Sequence, residues 1–584
     1  MDIETRLKTA IRDALRAAGI TAPESLSAIV LEHPDDPTHG DFATTIALVA
    51  AKAARVNPRE LAGKLAAALS AAHIESVDRV ETAGPGFINF YLTTGYFIRE
   101  LETIEKRGDL YGNSNEQRGR RVLVEYTDPN PFKEFHIGHL MSNAIGESIA
   151  RLIASQGAKV RRMCYQGDFG LHVAKTLWAA LHREAVATGS IPAKRAPLAE
   201  RIAFLGSCYA EGSRAYEDDP AAKQAIDELN KKIFDGKDRA VNKLYKLGKK
   251  WSLQHFEEIY AKLGTKFDYY VLESEVAHDG IAIVDEFLEK GVFERSDGAV
   301  VFHGEKHDPK LHTRVFINSQ GIPTYEAKEL GLNTKKWKKV HPDESIIITA
   351  NEQNDYFRVV MKALELILPE AAKATKHISH GMLRFAEGKM SSRTGNVITG
   401  ESLIADVEKL VQTKLALRDM DDDEKKEAAE IIAVAAIKYS ILRQATSSDI
   451  VYDFDTSISF EGDSGPYLLY TAVRAQSVLD KAKSEGVKPK IEWKVTDKRE
   501  IGLLERELVR FPEVVARAAS EKAPHHVATY LIGLASLFNG WYARVPIVAA
   551  DDPGSPYKVA LTQAVRIVLA NGLKLLGIKV PDRM

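Results

Sequence analysis

The sequence has little cysteine, no long apolar run and no excess of charge of one sign. Its only cysteines are Cys164 and Cys208, which are too few for a disulfide framework or a cysteine-based zinc site. No apolar run approaches the ~18–20 residues that span a bilayer, and the first residues lack the basic and apolar segments of a signal peptide. These absences predict a cytoplasmic chain with no membrane segment and no metal held by the protein.

The charge balance argues against a surface that is basic throughout. Lysine and arginine number 79, aspartate and glutamate number 81, and the formal net charge is −2. A nucleic-acid partner would therefore depend on local basic patches. Two stretches qualify by composition, Lys335–Lys339 and Lys231–Lys250. Each of them alone is more typical of a solvated helix or loop face.

The length of 584 residues exceeds what one hydrophobic core supports, so three or four domains are expected. The patterns divide the chain into a small α+β unit, a mixed α/β region and an almost wholly helical end. We place these domains at residues 1–112, 118–405 and 406–584. A charged and mixed stretch at about 175–310 is interpreted as an insertion in the second domain.

The first domain contains two helical patterns, over residues 3–18 and 59–72. Between them, Gly40–Thr44 is interpreted as the start of another helix. A strand is predicted over Phe87–Tyr91, after the turn Gly84-Pro85-Gly86.

The second domain opens with a strand, a helix and another strand, at Val122–Thr127, 139–155 and Val160–Tyr165. The same sheet is expected to resume at Arg314–Ile317 and Ser345–Thr349. Open parallel sheets of this kind bind ligands at the carboxyl ends of their strands. The predicted fold class is α/β. It has a doubly wound parallel, Rossmann-like sheet with insertions, a small α+β N-terminal domain and an all-helical C-terminal domain.

Two histidines stand where the first strand gives way to the helix, in the string His136-Ile137-Gly138-His139. If Gly138 lies at the helix start, free backbone N–H groups and the helix dipole point at an anion, and both imidazoles reach the same phosphate chain. Glycine at this position also lets a nucleotide approach the backbone closely. A string this short is also compatible with a helix start that binds nothing.

A second string, Lys389-Met390-Ser391-Ser392-Arg393, places two cations around small hydroxyl residues. A loop of this kind can close on the β- and γ-phosphates of ATP. Alone it would be interpreted as an ordinary basic surface loop, but the two strings together favour one site that holds a nucleoside triphosphate from both sides. The predicted ATP-binding residues are His136, Gly138, His139, Met390, Ser391 and Ser392.

The two strings resemble the paired motifs of class I aminoacyl-tRNA synthetases. The first string matches fully. In the second, Ser392 stands where the general motif has its second lysine, and Arg393 keeps a cation one residue later. That variant is similar to the form found in many arginyl enzymes.

Flanking segments narrow the resemblance to the arginyl-tRNA synthetase family. Those around the predicted site are Asp128–Phe135, Gln166–Gly170, Gly321–Tyr325 and Asn351–Gln353. Both ends of the chain also resemble the family. His39–Thr44 and Ala83–Phe90 resemble its domain for the tRNA elbow, and Gly465–Tyr470 and Leu576–Met584 resemble its anticodon-binding domain.

The resemblance implies arginine–tRNA ligation in two steps. The carboxylate of L-arginine attacks the α-phosphate of ATP, giving arginyl-adenylate and pyrophosphate, and the terminal ribose hydroxyl of tRNA(Arg) then attacks the acyl carbon. Mg²⁺ would arrive on the ATP phosphates, and a monomer is expected because the family is commonly monomeric. The implied catalytic residues are His136, His139, Lys389, Arg393 and Lys133.

An arginine pocket is implied as well. Its predicted residues are Asn130, Asp168, Tyr325, Glu329 and Gln353. The family usually has an aspartate four residues after the pocket tyrosine, where this chain has Glu329. Tyr325 and Glu329 share a helix face, and a carboxylate suits a guanidinium. The additional methylene of Glu329 is the chain's main departure from the family.

Contacts with the tRNA anticodon are expected from the helical domain. The candidate residues are Asn539, Trp541, Tyr542 and Met584. Trp541 and Tyr542 are equally well explained as core residues.

Three alternatives stay open. A class I lysyl-tRNA synthetase is the nearest. Small nucleotidyltransferases share a His-x-Gly-His string but lack both terminal domains. A relic that binds tRNA without charging it would have no reason to keep the histidines and Lys389.

Overall fold

Short strands alternate with long helices along the chain. The structure, a computed structural model, describes residues 2–185, 191–193, 195–385, 399–491, 501–549 and 551–584. Its strands are β1 Phe42–Thr44, β2 Val77–Ala83, β3 Phe87–Leu92, β4 Arg121–Glu125, β5 Lys159–Gln166, β6 Tyr269–Leu272, β7 Glu294–Ser296, β8 Ala299–His303, β9 Thr313–Ile317, β10 Glu344–Ala350, β11 Thr375–His380, β12 Leu383–Phe385 and β13 Ile450–Tyr452.

The α-helices are longer and concentrate after β5. They are Ile3–Ala17, Ile46–Ala54, Pro58–Ala71, Thr94–Arg107, Ile137–Ser155, Leu171–Ala185, Leu198–Asp218, Pro220–Asp235, Arg239–Lys262, Glu273–Glu289, Tyr325–Val340, Asn354–Ile367, Pro369–Ala374, Gly400–Leu415, Asp422–Leu442, Phe454–Ser457, Gly465–Ser484, Leu503–Val509, Phe511–Glu521, His525–Tyr542 and Ser555–Leu575. No helix in the described part of the chain is long and apolar enough to cross a membrane.

Two compact units account for the fold. The first comprises Met1–Tyr111, Arg474–Pro512 and Gly533–Leu569. The second comprises Gly112–Val473, Glu513–Ile532 and Ala570–Met584.

The first unit contains an antiparallel sheet in the order β1-β3-β2. The two predicted helices are confirmed at Ile3–Ala17 and Pro58–Ala71, as is the strand at Phe87–Leu92. The prediction of a helix starting in Gly40–Thr44 was wrong, because Phe42–Thr44 forms β1 and the helix begins only at Ile46. The cause is non-local, since β1 pairs with β3 and the Asp41 carboxylate accepts the Leu92 N–H at 2.7 Å.

The second unit is built on a five-stranded parallel sheet in the order β11-β10-β4-β5-β6. The apolar runs Val122–Val124 and Ile346–Ile348 are fully buried in its centre, as expected for parallel strands covered on both faces. The helix Ile137–Ser155 connects β4 to β5, and its Ser142 hydroxyl donates to the Ile348 carbonyl at 2.9 Å. The predicted α/β class is confirmed.

Two predictions for this unit were wrong. Arg314–Ile317 does not continue the main sheet, because β9 pairs antiparallel with β8 in a separate sheet of order β7-β8-β9. The stretch at 175–310 is also not wholly an insertion, because it contributes β6, which pairs parallel with β5. A strand of four residues between two long helices carries too little periodicity to be recognised in the sequence.

Candidate active site

A strained loop leaves the carboxyl end of β4. Thr127 and Asp128 have φ angles of 80° and 45°, a backbone region that non-glycine residues rarely occupy. Hydrogen bonds hold this conformation, since Ser142 Oγ accepts the Thr127 N–H at 2.9 Å and Asp128 Oδ1 accepts the Tyr165 N–H at 2.7 Å. Backbone strain of this kind is typical of functional sites.

The two predicted histidines meet where this loop enters the next helix. His136 precedes the helix Ile137–Ser155, and its backbone N–H donates to Nδ1 of His139 at 3.3 Å. The two imidazole rings stack with centroids 3.4 Å apart. A Cβ added at Gly138 would lie 3.1 Å from the His136 ring, so a larger residue there would require this ring to shift from its stacked position.

Both imidazoles are uncharged at neutral pH. Burial, assisted by the nearby Lys133, lowers the pKa of His136 to about 4. Burial, His136 and Lys133 together hold the pKa of His139 well below its usual range. The pair therefore offers neutral N–H donors to a ligand, and Lys133, whose Nζ lies 5.0 Å from the Tyr209 ring centroid, is the nearby cation.

The second predicted string falls outside the described residues, so Lys389, Met390, Ser391, Ser392 and Arg393 are not located. The described chain resumes at Thr399, which forms a β-bridge with His136. The next residue, Gly400, donates its N–H to the Phe135 carbonyl at 2.8 Å. The sequence that follows the second string therefore lies directly against the first.

A buried charge cluster lies at the carboxyl end of β4. Glu125 is 2% exposed, and Lys336 Nζ lies 2.7 Å from its Oε2. The same Nζ is 3.8 Å from Oε1 of Glu329, which also accepts a hydrogen bond from Asn333 Nδ2 at 2.9 Å. Glu329 is thus buried beside another carboxylate.

Two carboxyl groups at this end of the sheet, those of Glu329 and Asp128, are difficult to ionise without a further cation. Burial raises the pKa of Glu329 to about 7, with Glu125 and Glu273 adding to the increase and Lys336 opposing it. Burial and Glu125 likewise hold the pKa of Asp128 well above its usual range. An arriving cation would be stabilised here by carboxylates that ionise as it binds.

Tyr325 and Glu273 form the next side of the site. Tyr325 begins the helix Tyr325–Val340 and is 56% exposed. Lys328 Nζ lies 4.2 Å from its ring centroid and forms a buried ion pair with Glu273 at the end of β6. The Tyr325 carbonyl accepts a hydrogen bond from the Tyr356 hydroxyl at 3.2 Å.

Asp168 is satisfied by the chain itself. It is fully buried and accepts hydrogen bonds from the Tyr245 hydroxyl at 2.6 Å, from Lys249 Nζ at 3.1 Å and from the Ser274 hydroxyl at 2.7 Å. These bonds fix the side chains of Tyr245 and Ser274 against Asp168.

The other two predicted pocket residues are in different surroundings. A Cβ on Gly167 would lie 2.1 Å from Asn130 Oδ1, so this glycine lets Asn130 lie against the end of β5. Gln353 is exposed and ends the short turn Asn351–Gln353 after β10. Among the described residues, no hydrogen bond joins Gln353 to the rest of the predicted pocket.

Three family models match the chain. They are "tRNA synthetases class I (R), catalytic domain" over residues 101–454, "Arginyl tRNA synthetase N terminal domain" over 5–92 and "DALR anticodon binding domain" over 468–584. The chain belongs to the arginyl-tRNA synthetase family. Arginine–tRNA ligase activity follows from this membership, with arginine, ATP and tRNA(Arg) as the implied partners.

Individual arginyl-tRNA synthetases match over nearly their whole length. The arginine–tRNA ligase of Clostridium kluyveri is 31% identical over 565 residues, which cover 95% of this chain and 96% of the relative. That of Treponema denticola is 30% identical over 593 residues, or 98% of both chains. The solved structure of the Thermus thermophilus arginyl-tRNA synthetase matches with a TM-score of 0.79 and 25% identity over 100% of both chains.

The candidate anticodon-contacting residues differ in environment. Asn539 accepts a hydrogen bond from Arg474, whose guanidinium carbon lies 5.0 Å from the Tyr542 ring centroid. Tyr542 is 41% exposed. Trp541 is partly buried, with its ring 6.1 Å from that of Phe538. Met584 is partly buried and belongs to the second unit.

Sequence reasoning missed most of the charged and polar side chains of the site. The missed residues are Glu125, Asp128, Glu273, Lys328, Asn333 and Lys336. One signal was present, because Glu329, Asn333 and Lys336 follow the i, i+4, i+7 spacing of one helix face. The lysine stretches were also not wholly solvated, since Lys336 is 2% exposed and Lys249 bonds to Asp168.

Proposed function

We propose that the chain activates L-arginine with ATP and transfers it to the 3′-terminal adenosine of tRNA(Arg), releasing AMP and pyrophosphate. The observation that carries this proposal is the meeting of two chemistries at one edge of the parallel sheet. Neutral imidazole donors at a helix start, His136 and His139, suit a phosphate chain. The buried carboxyl group of Glu329, beside the ion pair of Glu125 and Lys336, suits a guanidinium.

In the first step, the arginine carboxylate attacks the α-phosphate and pyrophosphate leaves. His136 and His139 donate to the α- and β-phosphates, Lys389 and Arg393 hold the leaving pyrophosphate, and Lys133 adds positive charge. Catalysis of this kind consists of positioning and charge stabilisation and needs no covalent nucleophile on the enzyme. The residues proposed to line the ATP site between these groups are Gly138, Met390, Ser391 and Ser392.

The arginine substrate is proposed to contact Asn130, Tyr325, Glu329 and Gln353. Asp168 supports the same pocket from below, because its hydrogen bonds hold Tyr245 and Ser274. An amino acid lacking the guanidinium would leave buried carboxylates unpaired, which opposes its binding.

In the second step, the 2′-hydroxyl of the terminal ribose attacks the acyl carbon of arginyl-adenylate. We propose that residues 1–112 contact the tRNA elbow, that 118–405 form the catalytic domain and that 406–584 read the anticodon. The contacts in the last domain are assigned to Asn539, Trp541, Tyr542 and Met584. Mg²⁺ enters with ATP, and the enzyme acts as a cytoplasmic monomer.

Charging of purified tRNA(Arg) with each of the twenty amino acids in separate reactions tests the proposal. We expect ester formation with arginine alone, together with arginine-dependent exchange of pyrophosphate into ATP when tRNA is present. Charging with lysine instead would favour a class I lysyl enzyme. Binding of tRNA without any charging would favour a relic of the family.

A further inference from the structure

The proposed arginine pocket already contains a cation of the protein itself. Lys336 is 2% exposed, and its Nζ lies 2.7 Å from Glu125 Oε2 and 3.8 Å from Glu329 Oε1. It is the twelfth residue of the helix Tyr325–Val340 and follows Glu329 by two helical turns.

Lys336 stays charged in this position. Burial disfavours the ammonium form, but attraction by Glu125 and Glu329 outweighs burial and raises the pKa of Lys336. A buried ammonium is tolerated only where carboxylates compensate it. Lys336 and Glu125 therefore form a buried ion pair that is present before any substrate arrives.

The charges around this pair do not balance. Asp128 and Glu329 lie beside it, and each is close enough to Glu125 for its pKa to increase. The next buried cation, Lys328, is already paired with Glu273. With Glu125 neutralised by Lys336 and the pKa of Asp128 held well above its usual range by burial and by Glu125, Glu329 is left as the carboxyl group available to a cationic ligand.

The orientation of Glu329 is also controlled from its own helix. Asn333 Nδ2 donates to Oε1 of Glu329 at 2.9 Å and to its carbonyl at 3.0 Å. Lys336 approaches the same oxygen, Oε1, and no described residue forms a hydrogen bond with the other carboxylate oxygen. The additional methylene of glutamate is thus restrained, and one oxygen remains available to a ligand.

We propose that Lys336 is a positioning and specificity-determining residue of the arginine pocket. With Asn333 it fixes one oxygen of Glu329, and by neutralising Glu125 it leaves the pocket with charge for one planar guanidinium and no additional cation. A guanidinium presents parallel donors to a carboxylate, whereas an ammonium is a point charge. This inference rests on the proposed function, because it requires arginine to be the amino acid bound.

Steady-state aminoacylation by the full-length chain, with tRNA(Arg), ATP and arginine, provides the test. In Lys336→Met, Glu125 and Glu329 lose their internal partner, so we expect the KM for arginine to increase about tenfold or more, the effect of losing a charged hydrogen-bonding partner. The KM for ATP should remain within about twofold of the wild type, because the phosphate site is formed by other residues.

The discrimination between arginine and lysine is the second readout. Without its own ammonium the pocket has charge for one more cation, so the ratio of kcat/KM for arginine to that for lysine should fall about tenfold in Lys336→Met. A purely structural role for Lys336 would lower kcat with both amino acids equally and leave this ratio unchanged.

The matched control is Lys335→Met, on the same helix. Lys335 pairs with Glu275 at the surface, and its variant should keep the wild-type kinetics. Asn333→Ala removes the amide bond to Glu329 without removing a charge, and we expect it to raise the KM for arginine while ATP is unaffected. If thermal melting shows that Lys336→Met does not fold, the arginine KM of Asn333→Ala becomes the test of the inference.

Wild-type values of the arginine KM and of the arginine-to-lysine ratio in the folded Lys336→Met and Asn333→Ala variants would overturn the inference. If Lys336→Met does not fold, the same values in Asn333→Ala alone would overturn it. Failure of the wild-type chain to charge tRNA with arginine is a different outcome. It would overturn the proposed function. Charging by the wild-type chain is therefore measured before any variant is compared.

Discussion

His136 and His139 stack with their ring centroids 3.4 Å apart, and the backbone of the first donates to Nδ1 of the second at 3.3 Å. The ring of His139, at 5% exposure, is therefore held by the residue that precedes the helix. This bond to Nδ1 requires the proton of His139 to be on Nε2, since a ring nitrogen that accepts cannot also donate. The direction in which His139 can donate is thus fixed before ATP binds.

Substitution of His139 by alanine should lower arginine activation about 10²-fold or more, the effect of losing one donor to the transition state. The decrease should be in kcat more than in either KM, because the bond strengthens as charge develops on phosphorus. The measurement is tRNA-dependent pyrophosphate exchange. His182→Ala, at an exposed histidine of the same unit, serves as the control. Near-wild-type exchange by His139→Ala would remove the histidine pair from the site.

The stability of the protein should depend on His172 in weakly acidic solution. Burial lowers the pKa of His172 to about 3, and one ring nitrogen lies 2.7 Å from the Gly167 carbonyl oxygen. A histidine in the unfolded chain binds its proton near pH 6.5. Between these two values the unfolded state binds more protons, so the contribution of His172 is lost as the pH falls from 6.5 toward 3.

Thermal melting at pH 7 and pH 5 measures this dependence. We expect His172→Gln, which keeps an N–H donor for the Gly167 carbonyl, to lose less stability between the two pH values than the wild type. His182→Gln should behave like the wild type. An equal loss in His172→Gln and the wild type would show that other groups govern the acid range.

Local patterns were sufficient for the elements that form within a short stretch of chain. The helix Ile3–Ala17 and the strand β5 were predicted to within two residues, because their apolar periodicity extends over many positions. The histidine string was recognised for a similar reason, since its chemistry and its helix start are contiguous. The residues of the second string lie outside the described residues, so the roles assigned to them stay predictions.

The buried charges were not predictable in the same way. Glu125 and Lys336 are separated by most of the catalytic domain and meet only because β4 and the helix Tyr325–Val340 come together in the fold. In the sequence, Lys336 stands among other lysines and has the pattern of a solvated face. Asp168 looked like a ligand because it lies in a recognisable turn, but its partner Tyr245 is remote in sequence.

Lys438 should contribute to stability through two carbonyl groups. Its side chain is fully buried, and Nζ donates to the Leu263 carbonyl at 2.6 Å and to the Gly577 carbonyl at 2.7 Å. Lys438→Met leaves both acceptors without this donor, so we expect a loss of about 2 kcal/mol in the free energy of unfolding. Denaturant titration measures it, with Lys426→Met, at an exposed lysine of the same helix, as the control. Equal stabilities of the two variants would contradict the expectation.

Glu329 should make arginine binding depend on pH near neutrality. Burial raises its pKa to about 7, and the titratable groups near it include Lys336, Glu125, Glu273 and Asp128. Below pH 7 the carboxyl group is protonated and cannot attract a guanidinium, so the KM for arginine should increase as the pH falls from 8 to 6. The increase has an upper limit of about tenfold per pH unit below the pKa. The KM for ATP should stay constant in this range, because the pKa of His136 is about 4 and burial holds the pKa of His139 well below its usual range.

The variant Glu329→Gln separates this group from its neighbours. A neutral amide does not titrate, so the KM for arginine should be high and independent of pH between 6 and 8, while the KM for ATP stays near the wild-type value.

The same variant should be more stable than the wild type at pH 8. Because the pKa of Glu329 is raised, the folded protein still holds a proton on this group just below pH 7, where the unfolded chain has released it. The stability that this proton contributes to the wild type is lost as the pH rises through 7. Equal effects of the substitution on the KM for arginine and for ATP would contradict a place for Glu329 in the arginine pocket. A wild-type pH profile in the variant would assign the titration to a neighbouring group such as Asp128.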